Sequence, residues 1–161
     1  MTARELFAET VKDEIPRFER ALGAVPGDRL DYRPHERSRS ARELLAVFTD
    51  ESATFTVFLT TGEINFGALP PGGHTRVEDF VGGLTRSLKA AEAKAGSMSD
   101  AEWDLPARML VGGKVEWETT RGQMAWSLLL DLIHHRGQLS VYLRPMGGRV
   151  PAIYGPSGDA S

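Results

Sequence analysis

The 161-residue sequence contains no cysteine. Disulfide bonds, thiolate nucleophiles, iron–sulfur clusters and cysteine-based zinc sites are therefore all excluded. Any metal ion must be held by histidine, carboxylate, backbone and water ligands, which favour an open site over a closed structural one. The lack of cysteine thus limits the available metal ligands to oxygen and imidazole nitrogen.

Long apolar runs and a strong net charge are also lacking. No stretch approaches the roughly 20 apolar residues of a membrane-spanning helix, and the first residues lack the charged-then-apolar order of a signal peptide. The net charge is −3, which gives no positive field suited to a phosphate backbone. We therefore expect a cytoplasmic protein that binds neither membranes nor nucleic acids.

Arginines cluster in one segment of the chain, but acidic residues at Glu36 and Glu43 interrupt them. This alternation predicts a solvated loop and helix start rather than a nucleic-acid patch. The arginines concerned are Arg33, Arg37, Arg39 and Arg42.

Hydrophobic residues make up 41% of the chain, enough for one compact domain over residues 1–161 with a real core. Five Ser or Thr residues that precede apolar residues at helical spacing have Glu or Gln three positions later, the capping-box pattern that marks helix starts. They are Thr2, Ser40, Thr75, Ser99 and Thr120. Apolar residues at helical spacing follow, which predicts four long helices and one short one.

The connections between these helices are of several kinds. Two β-prone runs flank a Gly-Gly turn, which predicts a hairpin or an ordered loop between Ala107 and Trp117. A loop is expected over Glu63–Gly73, and Arg149–Ser161 has too many Gly and Pro residues to be helical, although Tyr154 is able to dock. The elements together predict an all-α four-helix bundle with long connections, a short helix and that hairpin or ordered loop before the last long helix.

Glycines inside two predicted helices need a reason, because each costs about 1 kcal/mol relative to alanine. Gly82 and Gly83 predict either a closely packed neighbour or a bend in the third long helix. Gly137 in the last long helix is expected to permit close helix packing.

The last long helix is apolar almost all round but carries a polar stripe. Asp131, His135, Gln138 and Tyr142 are spaced three and four residues apart, so they share one face. Asp131 and His135 lie at positions i and i+4 and can aim at one point. This pair is either a set of metal ligands or an imidazole oriented by a buried carboxylate.

Two motifs in this chain resemble those of the DinB/YfiT-like metalloenzyme superfamily. One begins Ile133-His-His-Arg-Gly-Gln-Leu-Ser-Val-Tyr and continues to Pro156. The other is Asp31-Tyr-Arg-Pro34, followed by Ser38-Arg-Ser-Ala-Arg-Glu-Leu-Leu45. The resemblance covers nearly the whole chain and implies the same bundle fold and a homodimer.

The resemblance also implies a metal site of three side chains, most often three histidines. Here His135 matches the last ligand position, and Asp131 occupies the position one turn earlier. Val47 falls where the second helix is expected to supply a histidine, and valine cannot bind a metal. Glu51, one turn further on, either replaces that ligand or bonds to Arg136 or His135.

Other polar residues of the last helix are expected to line the same pocket with Val47, namely His134, Arg136, Gln138 and Tyr142. Arg136 either reaches an acidic residue on another helix or binds an anionic substrate. The ligand set implied by the resemblance is compatible with zinc, nickel, manganese or iron, and Val47 leaves open that no metal is bound.

Characterised members of the superfamily include thiol-dependent S-transferases and a maleylpyruvate isomerase. The resemblance therefore implies a metal-dependent enzyme with S-transferase or related hydrolase or isomerase chemistry. The alternative is a structural or small-ligand-binding protein that has lost the metal. The sequence identifies neither the substrate nor the catalytic residues.

Overall fold

The computed structural model describes residues 1–66 and 73–159, which are mostly helical with one small sheet. Four helices have 21 to 23 residues and a fifth has four. Their bounds are α1 Ala3–Gly23, α2 Ala41–Thr61, α3 Val77–Ser97, α4 Asp100–Trp103 and α5 Arg121–Leu143. The predicted helical elements are therefore confirmed.

Capping side chains mark most of the helix starts. Reciprocal capping boxes are present at Thr2, Ser40 and Ser99, and Thr120 caps α5 with its hydroxyl alone. The box predicted at Thr75 is wrong, because α3 begins after Arg76 without a side-chain cap. The Glu78 carboxylate accepts a hydrogen bond from the Arg76 side chain at 3.2 Å, so it does not close the box.

The predicted hairpin is present and forms most of the sheet. Strands β2, Pro106–Val111, and β3, Lys114–Thr120, pair antiparallel across Gly112 and Gly113. Both glycines have positive φ, at 58° and 79°, which a tight turn between twisted strands requires. The hairpin leads directly into α5.

A third strand, β1, Glu63–Phe66, pairs parallel with β2 in the register Glu63 to Arg108. The prediction of a loop over Glu63–Gly73 is wrong for these four residues, and residues 67–72 lie outside the described part. The strand partner is more than 40 positions away in sequence, so a local pattern does not reveal it.

Helix packing brings α2 and α5 side by side. Helix α1 contacts α3 and α5, and α2 contacts the same two helices. Fully buried aromatic residues from α1, α2 and α3 fill the interior, among them Phe7, Phe18, Phe48, Phe55, Phe58 and Phe80. Within residues 1–66 and 73–159, no helix is both long and apolar enough to cross a lipid bilayer.

Close packing occurs at two of the helix glycines. A Cβ atom on Gly83 would lie 3.2 Å from His74 Nε2 and 3.2 Å from Thr49 Cγ2, so a neighbour does approach there. The prediction for Gly137 is wrong, because a Cβ at that position would meet no atom of the described residues within 4 Å. The close contact on α5 is at Gly122 instead, where a Cβ would lie 2.2 Å from Trp103 Nε1.

We expect Gly122→Ala to destabilise the protein by about 1–3 kcal/mol, since the added methyl group must displace the indole of Trp103. The matched variant Gly137→Ala has open space on the same helix, so it is expected to gain up to about 1 kcal/mol. Urea denaturation of both variants measures these changes. Equal effects of the two substitutions would contradict the packing described for Gly122.

Candidate metal centre

The residues that converge between α2 and α5 are Glu51, Asp131 and His135. One potential ligand atom from each of the three lies within 4.8 Å of the other two. Asp131 and His135 are one turn apart on α5, and Glu51 faces them from α2. The structure therefore brings together the three residues that sequence reasoning selected as ligands.

The imidazole of His135 lies between the two carboxylates. Its Nε2 atom is 3.3 Å from Asp131 Oδ2 and 3.8 Å from Glu51 Oε1. The His135 and Glu51 side chains are only 9% and 14% exposed, whereas that of Asp131 is 49% exposed. The cluster is therefore closed on the Glu51 side and open to solvent at Asp131.

The electrostatic environment of Glu51 disfavours its charged form. Burial, followed by the negative charge of Asp131, raises the pKa of the Glu51 carboxyl to about 8. The Oε2 atom of Glu51 is buried and has no hydrogen-bond partner among the described residues. A proton or a cation at this point would relieve both the charge repulsion and the unsatisfied oxygen.

A hydrogen-bond chain orients His135 toward the carboxylates. The Gln138 amide nitrogen, which is always a donor, faces His134 Nε2 at 2.8 Å. The Gln138 oxygen lies 2.9 Å from His135 Nδ1, so that nitrogen must donate. In the neutral imidazole, Nε2 then keeps a free lone pair facing Glu51 and Asp131, as in metal-binding histidines held by a hydrogen bond from the other ring nitrogen.

The remaining predicted pocket residues have different surroundings. Val47 is half-buried one turn before Glu51 on α2, and His134 is exposed. Tyr142 is buried, and its hydroxyl donates to the backbone oxygen of Arg39 at 3.1 Å. Gln138 is thus the predicted pocket residue that bonds directly to a member of the three-residue cluster.

Arg136 points away from the cluster, toward α1. Its guanidinium donates to Glu14 and to the Tyr154 hydroxyl, and lies 4.7 Å from the centre of the Phe18 ring. The prediction that Arg136 reaches an acidic residue on another helix is confirmed, and pairing of Glu51 with Arg136 is not seen. Both Arg136 and Glu14 are buried and oppositely charged, so they compensate each other.

Sequence reasoning missed Glu14, although a signal was present. Glu14 lies on the same face of α1 as Phe7, Val11 and Phe18, three and four residues apart along the helix. An acidic residue on an apolar helix face requires a buried cation as partner. Arg136, on an equally apolar helix, is that partner.

Comparison with known proteins gives the family and the fold of this chain. The sequence model of the DinB family matches residues 1–160. The chain belongs to the DinB family. A solved structure of the DinB-like protein YjoA from Bacillus subtilis is similar, with a TM-score of 0.71 and 18% sequence identity. That match covers 94% of this chain and 99% of the YjoA chain, and it shows the fold alone. No curated protein matches.

The raised pKa of Glu51 predicts an unusual pH dependence for the free energy of unfolding of the metal-free protein. The folded state retains a proton up to about pH 8, whereas an ordinary Glu releases it near pH 4.5. Below the pKa of the unfolded state, Glu51 is protonated in both states and the folded protein has its full stability. That stability is lost as the pH rises through the folded pKa, because the unfolded state gains from releasing a proton that the folded state keeps. The free energy of unfolding should therefore fall by up to about 1.4 kcal/mol per pH unit between about pH 5 and 8.

Glu51→Gln removes the titrating group and keeps its shape, so the difference from the wild type isolates this contribution. Urea denaturation at several pH values after chelator treatment measures it. Parallel stability curves for the two proteins would show that the Glu51 carboxyl titrates normally.

The buried ion pair gives a separate prediction. Glu14→Gln leaves the charge of Arg136 uncompensated and should cost about 3–5 kcal/mol in the free energy of unfolding. Glu9→Gln, at an exposed position on the same helix, is the control and should change it by less than about 0.5 kcal/mol. Similar losses in the two variants would contradict a special role for the buried pair.

Proposed function

We propose that this DinB-family protein binds a divalent metal ion through Glu51, Asp131 and His135, and that it is a metal-dependent enzyme. The observation that carries the proposal is the buried, unpartnered oxygen of Glu51 beside a second carboxylate and an oriented imidazole. One nitrogen and two oxygen donors suit zinc, nickel, manganese or iron.

The donor set fits an open site. Three protein ligands leave positions for water or substrate, and the half-exposed Asp131 marks the side from which these would enter. When bound, the ion would act as a Lewis acid and lower the pKa of a coordinated thiol or water. Gln138 would keep His135 Nε2 directed at the ion, and the buried Glu51 side would exclude water from behind it.

Thiol-dependent S-transfer, or related hydrolase or isomerase chemistry, is the reaction class we favour. The support is membership of the DinB family together with a donor set in which Asp131 is half exposed to solvent. Because the chain has no cysteine, a reacting thiol would have to come from a small molecule. A homodimer and a cytoplasmic location remain predictions.

A metal-free ligand-binding protein is the second candidate. Val47 stands where the resemblance places a histidine, and the raised pKa of Glu51 allows a proton to neutralise the carboxyl pair instead of an ion. In that case His135→Ala would lower the melting temperature, and added metal would have no effect on either protein.

Metal content of the tag-free protein, measured by plasma mass spectrometry, separates these candidates. We expect about one equivalent per chain in the wild type and strongly reduced metal in Glu51→Ala, Asp131→Ala and His135→Ala. His35→Ala is the control, because it removes an exposed imidazole outside the cluster while all three donors and Gln138 stay in place. A wild type that remains metal-free after separate incubations with zinc, nickel, manganese and ferrous iron would exclude the metal-dependent function.

A further inference from the structure

A groove of about 600 Å³ runs between the segment preceding α2 and the second half of α5. Arg37 and Arg39 line one side, and Gln138 and Tyr142 line the other. Its volume is in the range that holds a metabolite-sized ligand. None of the described residues that line it is acidic, so its lining carries a net positive charge.

The two arginines of the groove differ from their neighbours in sequence. Arg33 pairs with Glu43 at 2.9 Å, and Arg42 lies 3.7 Å from Asp31. Over residues 1–66 and 73–159, neither Arg37 nor Arg39 has a carboxylate within 4 Å. The unpaired half of the cluster is therefore the half that faces the groove.

The groove adjoins the candidate metal centre. Gln138 lines the groove and also bonds to His135 Nδ1 at 2.9 Å. The positive charge of Arg39 acts on Glu51, where it opposes the effect of burial on the carboxyl pKa. Tyr142 donates to the Arg39 backbone oxygen at 3.1 Å and so ties the arginine segment to α5. Gln138 therefore contacts both the groove and a member of the three-residue cluster.

We propose that this groove binds a small organic carboxylate through the guanidinium groups of Arg37 and Arg39. A planar guanidinium matches a carboxylate with two parallel hydrogen bonds, and Leu44 and Val141 provide apolar surface for a carbon chain. The claim that the carboxylate bound in the groove is a substrate rests on the proposed function. The claim that the groove binds an anion does not. The substrate class is then a carboxylate whose reacting end points toward Asp131 and His135.

Succinate is the probe, titrated into ¹⁵N-labelled protein at low ionic strength while the arginine Nε–Hε resonances are followed by NMR. The Nε–Hε resonance that is missing from the spectrum of Arg37→Gln is assigned to Arg37, and the one missing from that of Arg39→Gln is assigned to Arg39. We expect both to shift on binding, and the double variant to bind at least about tenfold more weakly, since charge-assisted hydrogen bonds are lost. Raising the salt concentration should weaken binding.

Arg29→Gln is the matched control, because it removes the same charge from an exposed position outside the groove. It should change the dissociation constant by less than about twofold, as expected for a screened, distant charge. The proposal is overturned if Arg29→Gln and the double variant weaken binding equally, or if succinate leaves the Arg37 and Arg39 resonances unmoved. Equal shifts with inorganic phosphate would overturn the assignment to carboxylates.

Asp131→Asn separates failure of this inference from failure of the metal site, since it removes a ligand charge with little change in shape. Succinate that still shifts Arg37 and Arg39 in a metal-free protein supports the groove even if the proposed metal chemistry fails. A metal-loaded wild type in which succinate moves neither resonance overturns the groove and leaves the metal site standing.

Discussion

Repulsion between two carboxylates around one buried imidazole is the constraint on which the rest of the site depends. Glu51 is mostly buried, and the negative charge of Asp131 lies beside it. Such a pair is stable only with a proton or a cation between the groups. The orientation of His135 by Gln138 and the positive charge of Arg39 both act on this same point.

Helix α5 serves two separate electrostatic purposes with consecutive residues. His135 and Arg136 project about 100° apart around the helix, so one faces α2 and the other faces α1. Arg136 is neutralised by Glu14 and bonded to Tyr154, which ties the C-terminal segment to the helices. Because Arg136 is engaged with Glu14, it does not pair with the carboxylates beside His135.

The parts of this structure that follow from local sequence could be predicted, and those that depend on distant partners could not. Asp131 and His135 share a face because of helical periodicity alone, and the capping boxes at most helix starts are equally local. Strand β1 was missed because its partner is more than 40 positions away in sequence. No local sequence pattern indicates that Arg33 pairs with Glu43 whereas Arg37 has no carboxylate within 4 Å among the described residues.

Anomalous diffraction from crystals of the protein incubated with zinc tests the central claim most directly. The account predicts one strong peak between α2 and α5, about 2.0–2.2 Å from His135 Nε2 and from an oxygen of Glu51 and of Asp131. It would be contradicted by crystals with no peak at that position, in which His135 Nε2 donates a hydrogen bond to Asp131 and the carboxyl pair is held by a proton.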